Sequence, residues 1–145
     1  MLQNESNSSQ TAVSCMQNKS EKPNVKQMKI LVIDDNEQTT TMLSKYFNAK
    51  GHTVTVTNDP MEGMNQIRKE QFDVILLDIT MPVVSGIGVI ELLAGDDTLQ
   101  NQNIFIFSGI LLPEIQLKNL LRRDGVSGFL KKPMELDKLL KAITL

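Results

Sequence analysis

At 145 residues, with 41% hydrophobic and 22% charged residues, the chain is sized for one ordinary soluble globular domain and is too short for a comfortable two. A net charge of -2 argues against broad non-specific nucleic-acid binding, and the single cysteine, Cys15, excludes an intrachain disulfide or a cysteine-rich metal site. No apolar run reaches the ~18 residues of a membrane span and the N-terminus lacks a signal-peptide core, so a cytoplasmic protein is expected.

Met1 to Gln27 is dominated by Asn, Ser and Gln and shows no periodicity. Such a stretch cannot bury enough apolar surface to offset its ordering entropy, so residues 1–27 are read as a disordered polar tail and 28–145 as the folded domain. Ile30-Leu31-Val32-Ile33 then forms a short buried strand that closes on Asp34-Asp35. A helix is predicted from about Asn36 to Lys50, with Met42, Leu43, Tyr46 and Phe47 as its apolar stripe and Gly51 as its stop. His52 to Thr57 alternates and fits a second strand. Asp59, Pro60 and Glu62 together announce another helix: a cap, a first-position proline and the partner of a capping box.

Val74 to Leu77 is a continuous apolar run, suited to a central strand covered on both faces, and it ends in Asp78. Pro82 prevents a simple continuation. Ile87 to Ala94 reads as a third helix, and Ile104 to Phe107 as a fourth strand followed by Ser108-Gly109. A fourth helix from about Pro113 to Arg123 carries Ile115, Leu117, Leu120 and Leu121, and Asp124-Gly125 ends it. Ser127 to Leu130 is the fifth strand. Lys131-Lys132-Pro133 follows, and the last helix, Glu135 to Thr144, turns Leu136, Leu139, Leu140 and Ile143 inward. Strands alternating with helices imply an α/β fold: a five-stranded parallel, doubly wound sheet with five helices and right-handed crossovers. Strand order 2-1-3-4-5 would make the first and third strands neighbours.

Parallel strands deliver their C-terminal ends to one edge, where Asp34, Asp35, Asp78, Ser108 and Lys132 can converge. Clustered carboxylates raise one another's pKa unless a cation offsets them, and Mg2+ suits an all-oxygen site that also takes a phosphate. Lys132 and the Ser108 hydroxyl could meet phosphate oxygens, and an Asp carboxylate is a legitimate nucleophile for phosphoryl transfer. Taken singly, Asp34-Asp35 could cap the first helix, Ser108 could close a turn and Lys132 could be solvated. Their joint placement on the right strand ends favours chemistry.

The stretches Ile30 to Asn36, Leu76 to Pro82 with Gly86, Phe107-Ser108-Gly109 and Phe129 to Pro133 resemble the receiver domain of two-component response regulators, over about Lys29 to Leu145. The resemblance implies a flavodoxin-like fold with Asp78 as phosphoacceptor and Asp34, Asp35 and the Thr80 main-chain carbonyl as further Mg2+ ligands. It also implies that Lys132 serves the phosphoryl group, and that Ser108 and Phe129 form the switch pair. Gly109 stands where the family commonly has Ala, and Phe129 lacks the hydroxyl of the frequent Tyr.

An Asp-nucleophile phosphatase would want an acid where Thr80 stands, and no cap insertion is present to form a substrate pocket. A degenerate receiver acting only as a binding module would have lost an Asp or the Lys. No Gly-rich phosphate loop supports a kinase. His52, the single histidine, is expected at the surface of the edge strand, away from the site. The expected activity is therefore that of a phosphoacceptor switch with only intrinsic autophosphorylation and autodephosphorylation, not a turnover enzyme. The implied donor is a sensor histidine kinase or phosphotransfer protein. Since the chain ends with the fifth helix, output is expected through a separate protein partner or a second copy. The surface expected to change is that of the fourth helix, fifth strand and fifth helix, around Lys118, Arg122, Lys131 and Lys138. No nucleic acid and no membrane is expected as a partner.

Overall fold

Val74 to Leu77, every residue buried, sits at the centre of a five-stranded parallel sheet in the computed structural model, which describes residues 26–144. Most of the polar stretch read as a tail, with Cys15, lies outside the described residues, as does Leu145. Its last described part is tied down, because the Gln27 amide donates to the Thr53 hydroxyl at 2.8 Å. The strands are β1 (Lys29–Ile33), β2 (Thr53–Thr57), β3 (Val74–Leu77), β4 (Ile104–Ser108) and β5 (Val126–Lys131), in the expected order β2-β1-β3-β4-β5. Between them run α1 (Glu37–Ala49), α2 (Pro60–Lys69), α3 (Gly86–Gly95) and α4 (Glu114–Leu121), and α5 (Leu136–Thr144) follows β5. A short 3-10 turn, Leu99–Asn101, precedes β4 and was not foreseen.

Strand alternation divides the core into two layers. On one face Leu31, Ile33, Ile75, Leu77, Ile104 and Ile106 pack against α2, α3 and α4. On the other, Ile30, Val32, Val74, Leu76 and Phe107 meet Leu43 and Phe47 of α1 and Leu139 and Ile143 of α5. β1, β3 and β4, hydrogen-bonded on both edges and packed on both faces, are thereby fixed more firmly than the edge strands β2 and β5. Their C-terminal ends are the place to hold a reactive group still.

The local signals hold with three corrections. Asn36 caps α1 by accepting from the Gln38 and Thr39 N–H groups, and Gly51 ends that segment at φ +95°, a conformation open to glycine without steric cost. Asp59 caps α2, but the capping box is not completed: Thr57 Oγ1 takes the Asp59 N–H, and Glu62 accepts from Gln66 instead. The apolar stripes are narrower than their periodicity suggested. Met42, Ile115 and Leu121 are exposed, and Leu120 alone is buried on α4.

His52 is the third correction, since it is buried, not at the surface. Its Nδ1 accepts the Met28 N–H at 3.0 Å, just where β1 begins, while Nε2 has no partner among the described residues. Burial lowers its pKa. A histidine with a depressed folded pKa stabilises the fold above the unfolded value of about 6.5, and that stability is lost as pH falls through the folded value. The ring-proton resonances of this single histidine should titrate with a midpoint below that of an exposed imidazole, and resistance to urea should decline over the same interval. A midpoint at or above the exposed value would contradict the burial.

Candidate functional site

At the C-terminal edge of the sheet the strands end in polar groups while their neighbours within the strands remain apolar. Asp34 follows β1 and Asp78 follows β3; both are buried, at 2% and 6% exposure, whereas Asp35 is exposed. One carboxylate oxygen from each of Asp34, Asp35 and Asp78 lies within 4.8 Å of the others. Ser108, the last residue of β4, is wholly buried. Lys132 follows β5, and its N–H donates to the Ser108 carbonyl at 2.8 Å, extending the pairing of the two strands. Its peptide to Pro133 is cis.

The Lys132 ammonium donates to Asp34 Oδ2 at 2.6 Å and stands 3.8 Å from Asp78 Oδ2. Asp34 Oδ1 accepts from the Asn36 N–H at 3.0 Å, so the acid pair does not itself cap α1. Burial raises the Asp78 pKa, as does the Asp34 charge beside it; Lys132 and hydrogen bonding from Ser108 and the Ile79 N–H oppose the rise. One lysine, beside Asp34 and Asp78, thus serves a cluster of three carboxylates, and the remaining repulsion is what a divalent cation would relieve. An all-oxygen set with two buried members fits a hard cation such as Mg2+. Among the described residues no backbone N–H donates to the Thr80 carbonyl, which leaves it available as a neutral ligand.

The loop after β3 explains how Asp78 is held. Gly86 packs directly on it: a Cβ built there would lie 2.2 Å from the Asp78 carbonyl oxygen, and the Gly86 N–H donates to the Ile79 carbonyl at 2.9 Å. Ser85 caps α3, fixing the helix start against that loop. Between them Val83 adopts φ 72° with its side chain exposed, an uncommon backbone for a β-branched residue.

Asp34, Asp35, Asp78, Ser108 and Lys132 therefore meet at one edge. Phe129 stands one strand away, half-buried against the α3 and α4 layer and in register with Ile106. Sequence reasoning missed Asn58, whose side-chain amide reaches the Asp34 carbonyl at 2.8 Å. Its only signal was an Asn just ahead of the Asp-Pro helix start.

The described helices include none long and apolar enough to cross a membrane. The sequence model of the response regulator receiver domain matches residues 30–144. The polar-differentiation response regulator DivK of Brucella anthropi is 24% identical over 114 residues, covering 79% of this chain and 91% of DivK. The CAI-1 autoinducer sensor kinase/phosphatase CqsS of Vibrio cholerae is 28% identical over 116 residues, which are 79% of this chain but 17% of that protein. Among solved structures, the chemotaxis protein CheY4 of Vibrio cholerae superimposes with a TM-score of 0.71 at 27% identity, covering 82% of this chain and 98% of that one. The receiver domain of the Francisella response regulator 1452 gives 0.70 at 26%, covering 81% and 93%. A fold, a strand-end constellation and a family match over nearly all the described residues agree: this chain belongs to the response regulator receiver domain family.

Proposed function

We propose that Asp78 accepts a phosphoryl group from a phosphohistidine of a partner sensor kinase or phosphotransfer protein, and that residues 28–145 act as the switch. The observation that carries this reading is the buried Asp78 carboxylate clustered with Asp34 and Asp35, with the Lys132 ammonium 2.6 Å from Asp34 and 3.8 Å from Asp78. In the transfer, one Asp78 oxygen attacks phosphorus while the P–N bond to the donor imidazole breaks. The electron pair stays on the departing nitrogen, and the ring takes up one proton to leave as neutral imidazole. Lys132, already next to Asp78, turns its ammonium to a phosphoryl oxygen, and the Ser108 hydroxyl donates to another. A bound Mg2+, held by Asp34, Asp35, Asp78 and the Thr80 carbonyl, would neutralise charge on the carboxylates and the phosphoryl oxygens.

The modified chain signals without turning over a substrate. Its phosphoryl oxygens draw Ser108 towards them, and the half-buried Phe129 ring moves into the space released. Lys118, Arg122, Lys131 and Lys138, all exposed, would then present an altered α4-β5-α5 surface to a downstream protein or to a second copy of the chain. A cytoplasmic setting fits this role, with neither nucleic acid nor membrane as a direct partner.

Acetyl phosphate with Mg2+ should add one phosphoryl group by intact mass, and excess chelator should abolish the addition. Equal labelling in chelator would remove the metal from the account. Amide shifts with a beryllofluoride mimic should change on the α4-β5-α5 surface; changes confined to the loops after Asp35 and Asp78 would place the output elsewhere.

A further inference from the structure

β1 and β2 run in parallel register from Lys29 with Thr53 to Ile33 with Thr57, and the Asp34 N–H still donates to the Thr57 carbonyl at 3.2 Å. The next rung is missing. The Asp59 N–H, which could have continued the ladder towards the Asp34 carbonyl, is taken by Thr57 Oγ1 at 3.1 Å. The Asn58 side chain fills the gap: its amide nitrogen donates to the Asp34 carbonyl at 2.8 Å and to Thr40 Oγ1 at 3.1 Å. Both amide hydrogens are thus used. Thr40 is itself buried and donates to the Glu37 carbonyl at 3.1 Å, which anchors the amide to the first turn of α1.

The Asp34 carbonyl belongs to the peptide that joins Asp34 to Asp35. Peptide planarity means that holding this oxygen also sets the direction of the Asp35 N–H and limits where the Asp35 side chain can point. The two acids differ in what else restrains them. Asp34 is fixed through both carboxylate oxygens, by Lys132 and by the Asn36 N–H. For the exposed Asp35 carboxylate, no hydrogen bond or ion pair is formed among the described residues. Backbone orientation is therefore its principal restraint.

We infer that Asn58 is a positioning residue for the cation site: it clamps the Asp34–Asp35 peptide so that the Asp35 carboxylate faces Asp34 and Asp78. It touches neither phosphate nor metal. The inference rests on reading the three carboxylates as the Mg2+ site, and it adds a partner outside the ligand set. Partners that orient metal ligands without binding the metal typically change affinity 10–100-fold when removed. Since the Asp35 carboxylate remains present, the lower end applies.

Mg2+ titration of the full chain by calorimetry, with thermal unfolding in chelator alongside, tests this. Asn58→Ala should bind Mg2+ about 10-fold more weakly than wild type. Its labelling by acetyl phosphate should reach the wild-type rate once Mg2+ is raised in proportion. Thr40→Val, which removes the second anchor, should show a smaller loss in the same direction, and Thr40→Ser should restore wild-type affinity. If Asn58→Ala does not fold, the Thr40 pair decides the matter. A lowered melting temperature with an unchanged Mg2+ midpoint would mean that Asn58 only stabilises the fold, and would overturn the inference. Wild-type protein that binds no Mg2+ would remove the metal-site reading, and this inference with it.

Discussion

Gly86→Ala should unfold the chain far more readily than an ordinary glycine-to-alanine change in a helix. The added methyl would sit 2.2 Å from the Asp78 carbonyl oxygen and 2.9 Å from both the Asp78 carbonyl carbon and Ile79 Cα. These are backbone atoms at the end of the central strand, so no side chain can rotate away to make room. We expect a loss of about 3 kcal/mol or more, the upper end of overpacking costs, measured by urea unfolding. Whatever protein remains folded should label poorly, because relief of the clash moves the backbone that carries Asp78. Gly95→Ala, in the same helix but with nothing within 4 Å of the new methyl, is the control and should be close to neutral. Similar stabilities for the two variants would mean that Gly86 does not constrain Asp78.

The second large effect is expected at Lys132. Lys132→Ala leaves Asp34 buried without its 2.6 Å partner and leaves three carboxylates facing one another. Breaking a fully buried pair costs about 3–5 kcal/mol; since Lys132 keeps 23% of its side chain exposed, about 2 kcal/mol is the better expectation without Mg2+. Added Mg2+ should restore more stability to this variant than to wild type. Labelling by acetyl phosphate should fall by about 10²–10³, the usual effect of removing one preorganised charge from a transition state. Lys132→Arg should not recover the rate, because the planar guanidinium replaces a compact charge poised between two carboxylates. An unchanged rate in Lys132→Ala would show that the lysine does not meet the phosphoryl group.

How much of this was legible in the sequence follows from which interactions are local. The apolar runs of β1 and β3 could be read because strands covered on both faces leave no place for a polar residue until they end. Once the sheet was taken as parallel, the end of each run was a position on one shared edge, and Asp34, Asp35, Asp78, Ser108 and Lys132 followed. What stayed hidden depends on pairings distant in sequence. His52 looks like a surface residue until the start of β2 is laid beside Met28, whose N–H its ring accepts. Asn58 looks like a loop residue until the ladder between β1 and β2 breaks off at Asp34. Periodicity placed Leu120 correctly but could not show that α4 leaves Ile115 and Leu121 uncovered, since that depends on how the helix lies on the sheet.

The central claim is that Asp78 carries the phosphoryl group, and chemical trapping tests it most directly. An aspartyl phosphate is an acyl phosphate, which borohydride reduces to an alcohol while free carboxylates are left intact. Protein treated with acetyl phosphate and Mg2+, then reduced and digested, should yield homoserine at position 78 alone, and Asp78→Asn should yield none. Homoserine at Asp34 or Asp35, or undiminished phosphoryl incorporation in Asp78→Asn, would contradict the account.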